Sequence, residues 1–98
     1  NQRILLPAVN PQSTHSYHQF TLRCTAISRD MLKAHLAEAG IPSMIYYPIP
    51  LHRQKAYLTA GSFPNADLLA SQVLSLPMHT SLTPSIISRV TSAINDYA

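Results

Sequence analysis

The sequence has a single cysteine, two glycines and four acidic residues, and each shortage removes a class of function. Cys24 has no partner for an internal disulfide, which removes the stapled secreted scaffolds and fits a reducing, cytoplasmic location. With Gly40 and Gly61 as the only glycines, no glycine-rich loop can cradle a phosphate. No Gly-x-Ser-x-Gly turn exposes a nucleophilic serine. No apolar stretch reaches the roughly 18 residues of a membrane span, so no membrane partner is expected. There is no N-terminal Met and no basic-then-apolar leader of the signal-peptide kind. Opening on Asn1-Gln2-Arg3 suggests a piece of something longer.

Scarcity of acids also sets the charge. Seven Lys and Arg against four Asp and Glu give +3. The basic residues Arg3, Arg23, Arg29, Lys33, Arg53, Lys55 and Arg89 are scattered along the chain. Nucleic-acid binders gather such residues on one face, so no nucleic-acid partner is expected. What remains is a chain of 98 residues, 46% apolar and 11% charged, enough for one folded domain. At this size folding hides only about 60 to 65% of the unfolded surface, and the stability margin is thin.

Residues 1–14 hold two prolines and several amides and serines, and read as an extended lead-in, a connection from an upstream domain. From His15 to Thr25, apolar Phe20, Leu22 and Cys24 alternate with polar Gln19, Thr21 and Arg23, the period of a half-buried strand. Ser28-Arg29-Asp30 offers a helix start with Asp30 as cap, and Leu32, His35, Leu36 and Ala39 mark its inner face. Gly40 closes that helix. Ile41 to Tyr47 reads as a second strand, stopped by Pro48 and Pro50. A short helical turn fits residues 52–58, and Asn65 can cap a helix through about Ser71. Val73 to Leu76 is a third strand, stopped by Pro77. Thr83 then caps a last helix with Pro84 in its first position and an apolar stripe of Ile86, Val90, Ala93, Ile94 and Tyr97. The expected fold class is α+β, a small three-stranded sheet with helices packed on one face.

Five histidines invite a metal hypothesis, but His15 and His18 would face opposite sides of a strand, and His35 suits a hydrogen-bonded core position. Cys24 falls on an apolar strand face, where thiols are inert packing. No metal site and no catalytic residue are assigned. The stretch that stands out is residues 46–57, Tyr-Tyr-Pro-Ile-Pro-Leu-His-Arg-Gln-Lys-Ala-Tyr. Proline stiffens the backbone, so such a loop can hold side chains in place at low entropic cost. Tyrosine and histidine offer a flat apolar body with a polar tip, which suits a nucleobase or a sugar. A structured connection covering the core is the alternative for the same residues.

Residues 40–57, Gly-Ile-Pro-Ser-Met-Ile-Tyr-Tyr-Pro-Ile-Pro-Leu-His-Arg-Gln-Lys-Ala-Tyr, resemble a signature of the DegT/DnrJ/EryC1/StrS sugar aminotransferases. His15-Ser16-Tyr17-His18-Gln19-Phe20, Arg29-Asp30, Phe63-Pro64-Asn65-Ala66, Leu74-Ser75-Leu76-Pro77-Met78-His79, Leu82-Thr83 and Val90 extend the resemblance in order over residues 15–97. The resemblance implies that residues 15–98 are the small C-terminal domain of an aspartate-aminotransferase-fold enzyme. Such enzymes are generally homodimers that use pyridoxal phosphate. They move an amino group, usually from glutamate, to a keto group of a nucleotide-linked sugar, in the synthesis of cell-surface polysaccharide and related amino sugars. The resemblance carries substrate contact onto Tyr46 and Tyr47, one wall of the substrate cleft, although many relatives have histidine where Tyr46 stands. His52 is a second candidate, and His15 and Tyr17 could approach the cleft. The Schiff-base lysine motif has no match at Lys33 or Lys55, so the 98-residue chain alone is expected to bind no pyridoxal phosphate and to be inactive. A stand-alone ferredoxin-like ligand-binding or regulatory module is the competing possibility.

Overall fold

The computed structural model describes residues 3–97. The first two residues of the expected lead-in and the final residue lie outside the described residues. The elements run β1 (Ile4–Leu5), β2 (Phe20–Cys24), α1 (Arg29–Glu38), α2 (Pro64–Gln72), β3 (Val73–Leu76) and α3 (Pro84–Tyr97). Two short 3-10 turns, Leu51–Arg53 and Lys55–Tyr57, lie between α1 and α2. The three strands form one antiparallel sheet in the order β1-β2-β3. The α+β class and the three-stranded sheet are as the sequence predicts.

The membership of that sheet differs from the sequence expectation in two strands. Residues 4–5 of the extended lead-in pair with β2, Ile4 opposite Cys24 and Leu5 opposite Arg23, and Ile4 is buried in the common core. The stretch 41–47 is not a strand. Pro42 has no amide proton to give a ladder, and only Met44 pairs, exchanging two hydrogen bonds with Ser75 (Met44 N to Ser75 O 3.0 Å, Ser75 N to Met44 O 2.7 Å). The strand expected from His15 begins only at Phe20. Tyr17 has φ +48°, and its amide donates to His15 Nδ1 at 2.8 Å, so the backbone bends where the alternation predicts extension.

From Phe20 onward the alternation holds. Leu22 and Cys24 are buried beneath the helices. On the opposite face, Thr21 and Ser75 share a hydroxyl hydrogen bond of 2.8 Å and Arg23 Nε donates to Gln72 Oε1 at 2.6 Å. Burial pushes the Cys24 thiol up from its ordinary pKa, with the Arg29 guanidinium pulling partly back, so at neutral pH it stays a protonated packing group.

Helix α1 is capped by Ser28 and not by Asp30: Ser28 Oγ accepts from Met31 N at 3.3 Å, while Asp30 pairs with Arg29. Leu32 and Leu36 are fully buried on its inner face. Its last turn closes with Gly40 N on Ala37 O (2.9 Å) and Ile41 N on Leu36 O (2.8 Å). This closure requires φ +70° at Gly40, open to glycine at no steric cost. Helix α2 starts with Pro64 in its first turn after Phe63, so Asn65 lies inside the helix and not at its cap. Helix α3 is capped by Thr83, whose Oγ1 accepts from Ile86 N at 3.3 Å. Val90, Ala93, Ile94 and Tyr97 pack on the core, whereas Ile86 is exposed. His35 ties α1 to α3, donating Nε2–H to Ala93 O at 3.0 Å, with its ring tilted against Tyr97. None of the described helices is long and apolar enough to cross a membrane.

Candidate functional site

The proline-rich loop is fixed at both ends. At its start, the Met44–Ser75 pairing holds the chain against the free edge of β3, two residues before Tyr46. In its middle, Pro50 O accepts from Arg53 N (3.0 Å) and Leu51 O from Gln54 N (3.1 Å), which closes the first 3-10 turn. At its far side the loop is tied to α2 through Asp67, in the first turn of that helix. Asp67 Oδ1 lies 2.7 Å from Arg53 Nε and 3.1 Å from His52 Nε2. Neither contact is a directed hydrogen bond, so attraction between the Arg53 guanidinium and the carboxylate holds this corner, with the His52 ring packed beside it.

Between loop and helix runs a groove of about 560 Å³, with Tyr46, Tyr47, Ile49 and Gln54 on the loop side and Leu69 and Val73 on the other. The two tyrosine rings meet edge to face, with centroids 5.7 Å apart. Tyr47 is 70% exposed and Tyr46 40%. Fixed backbone with exposed aromatic faces is what a planar or ring-shaped ligand can stack on.

The structure brings Tyr46 and Tyr47 together at this groove and turns the other three candidates elsewhere. His52 is mostly buried, against Asp67 and 4.8 Å from the Phe63 ring, where it braces the loop. His15 and Tyr17 stack on each other, centroids 4.3 Å apart, before β2 and not on its exposed face. They do not line the groove between loop and α2.

Asp67 and Arg53 are structural supports of the loop that the sequence alone does not reveal. Asp67 reads there as a solvated helix-start acid, and no spacing rule links it to a loop so far upstream. Nor do the residues on hand fit a Schiff-base cofactor. Lys33 Nζ donates to Ser43 O at 3.0 Å, Lys55 lies on the exposed second 3-10 turn, and neither lines the groove. Among the described residues no three His, Cys, Asp or Glu side chains gather to hold a metal ion.

Residues 1–95 match the DegT/DnrJ/EryC1/StrS aminotransferase family. The chain is 46% identical over 79 residues to the erythromycin biosynthesis sensory transduction protein EryC1 of Saccharopolyspora erythraea, covering 76% of this chain and 21% of that protein. It is 37% identical over 99 residues to the dTDP-3-amino-3,6-dideoxy-alpha-D-galactopyranose transaminase of Aneurinibacillus thermoaerophilus, covering 99% and 27%. Its fold matches a crystal structure of a DegT DnrJ EryC1 StrS aminotransferase from Brucella abortus with TM-score 0.87 and 33% identity, over 98% of this chain and 26% of that one. The chain thus spans roughly a quarter of the length of the proteins it matches.

Proposed function

The chain belongs to the DegT/DnrJ/EryC1/StrS aminotransferase family, and from that premise we propose that it is the small C-terminal domain of a sugar aminotransferase and forms one wall of the substrate cleft. Residues 15–98 carry that domain together with Ile4–Leu5 of the lead-in, which pair with β2 and reach its core, and the rest of residues 1–14 connects to the large domain. The parent enzyme is a cytoplasmic homodimer that moves an amino group from glutamate to a keto group of a nucleotide-linked sugar. Its product feeds the synthesis of cell-surface polysaccharide or a related amino sugar. Enzymes of this family use pyridoxal phosphate, which supplies the electron sink for amino transfer. The lysine and phosphate cradle for it belong to the rest of the parent chain, because Lys33 and Lys55 are placed elsewhere.

The observation that supports this reading best is the braced pair Tyr46–Tyr47 over an open groove. The edge-to-face pair offers aromatic surface and two hydroxyls. Neither hydroxyl becomes a cation near neutral pH, so their contribution is stacking and hydrogen bonding, not charge. A stand-alone ferredoxin-like module is disfavoured by the fold match to an aminotransferase over 98% of the chain.

In the full-length enzyme, Tyr47→Ala should lose about 1 to 3 kcal/mol of sugar-nucleotide recognition, roughly a five- to 150-fold fall in kcat/KM for that half-reaction. The glutamate half-reaction should change far less. Single-turnover kinetics of each half-reaction measure both, and equal impairment of the two would point to a folding defect and sink the assignment. Conversely, the 98-residue chain mixed with pyridoxal phosphate should show no stable visible absorbance band. Borohydride treatment should fix no stoichiometric pyridoxyl group on Lys33 or Lys55.

A further inference from the structure

Tyr46 also lines a second groove, of about 300 Å³, whose other polar walls are His18, Gln19, Ser43, Ser75 and His79. These residues come from separate parts of the chain: the approach to β2, the segment before Tyr46, and β3 with the turn after it. Ser43 is 6% exposed, and its hydroxyl is buried with no hydrogen-bond partner. Its carbonyl is already taken by Lys33. Ser75 is equally buried but satisfied, by Thr21 through its hydroxyl and by Met44 through its backbone. A buried hydroxyl left without a partner is unfavourable, so the Ser43 hydroxyl marks a place where an atom from outside the chain completes the bonding.

The chemistry of the walls indicates what that atom is. Each polar side chain beside Ser43 can donate: the imidazoles of His18 and His79, the amide of Gln19 and the phenol of Tyr46. No carboxylate lines the groove. Asp30 is paired with Arg29, and Asp67 with His52 and Arg53. A donor-rich, acid-free groove at the lower end of the usual ligand-pocket size (about 300 Å³) suits a small anion better than a whole nucleotide-sugar. We propose that this second groove binds a phosphate oxyanion through Ser43, His79 and His18. Taking the cleft assignment above as its basis, the source is the diphosphate of the nucleotide-sugar, with Tyr46 as the wall shared between the anion and the sugar.

The test is calorimetric titration of the full-length holoenzyme with inorganic phosphate, and separately with uridine and thymidine diphosphates, using wild type, Ser43→Ala and His79→Gln. Both variants should bind phosphate at least tenfold more weakly. Without ligand, Ser43→Ala should melt no lower than wild type, because it removes an unpartnered hydroxyl; a purely structural hydroxyl would give a lower melting temperature and overturn the proposal. Weakened binding of both phosphate and the nucleoside diphosphates identifies the diphosphate as the source. Weakened phosphate with unaltered nucleoside diphosphates identifies free phosphate as the ligand of the groove, and the cleft assignment is then judged on Tyr47→Ala alone. Unaltered phosphate binding in both variants overturns the proposal.

Discussion

Leu74→Ala should lower the stability of the chain by about 2 to 5 kcal/mol, a large part of the roughly 5 to 15 kcal/mol that holds a typical domain together. Leu74 is fully buried in β3, directly opposite Leu22 of β2, in one cluster with Leu32 and Leu36 of α1. Removing its isobutyl group forfeits transfer energy and leaves a hole at the point where sheet and helix meet. Strands held by ladder hydrogen bonds cannot collapse far into that hole, so the cost falls toward the upper half of the range. In urea the midpoint should drop by about 1 to 3 M with an unchanged slope. Leu58→Ala is the control: Leu58 is 75% exposed and its loss should change stability by less than about 0.5 kcal/mol. Equal effects of the two substitutions would refute the placement of the core.

Arg29→Met should be the second severe change, costing about 3 kcal/mol. Arg29 is 8% exposed, and its Nη1 donates to Ala70 O at 3.1 Å and Val73 O at 3.2 Å, while Nε meets Asp30 Oδ1 at 2.7 Å. One guanidinium therefore joins the start of α1 to the junction of α2 and β3. Methionine keeps much of the stem volume but leaves two carbonyls without their donor. Arg29→Lys should recover only part of the loss, since an ammonium on a flexible stem lacks the planar fork. Denaturant titration of wild type and both variants checks the order. A methionine variant as stable as wild type would mean that water already serves those carbonyls.

The elements that announced themselves in the sequence are those specified by adjacent residues. Thr83-Pro84 followed by a helical stripe marks α3, Gly40 ends α1, and Val73 to Leu76 before Pro77 marks β3, and all three stand where those residues put them. Elements that depend on distant partners were hidden. Two residues, Ile4 and Leu5, carry no periodicity; they become a strand only because β2 presents an edge to them. The alternation from His15 looked like strand, but a left-handed Tyr17 cannot be read from a tyrosine. The same division holds at the candidate site. The proline-braced tyrosines were legible as a local pattern, whereas the direction of His52 is decided by Asp67 and Phe63 on the far side of the groove.

The short pairing of Ile4–Leu5 with β2 bears on how this unit can be cut from its parent. A truncation beginning at His15, the place that composition recommends, would strip β2 of its neighbour along residues 23–24 and uncover the core site that Ile4 fills. The bared edge would offer unsatisfied amides and carbonyls to any passing strand, and clumping would follow in preference to a tidy smaller protein.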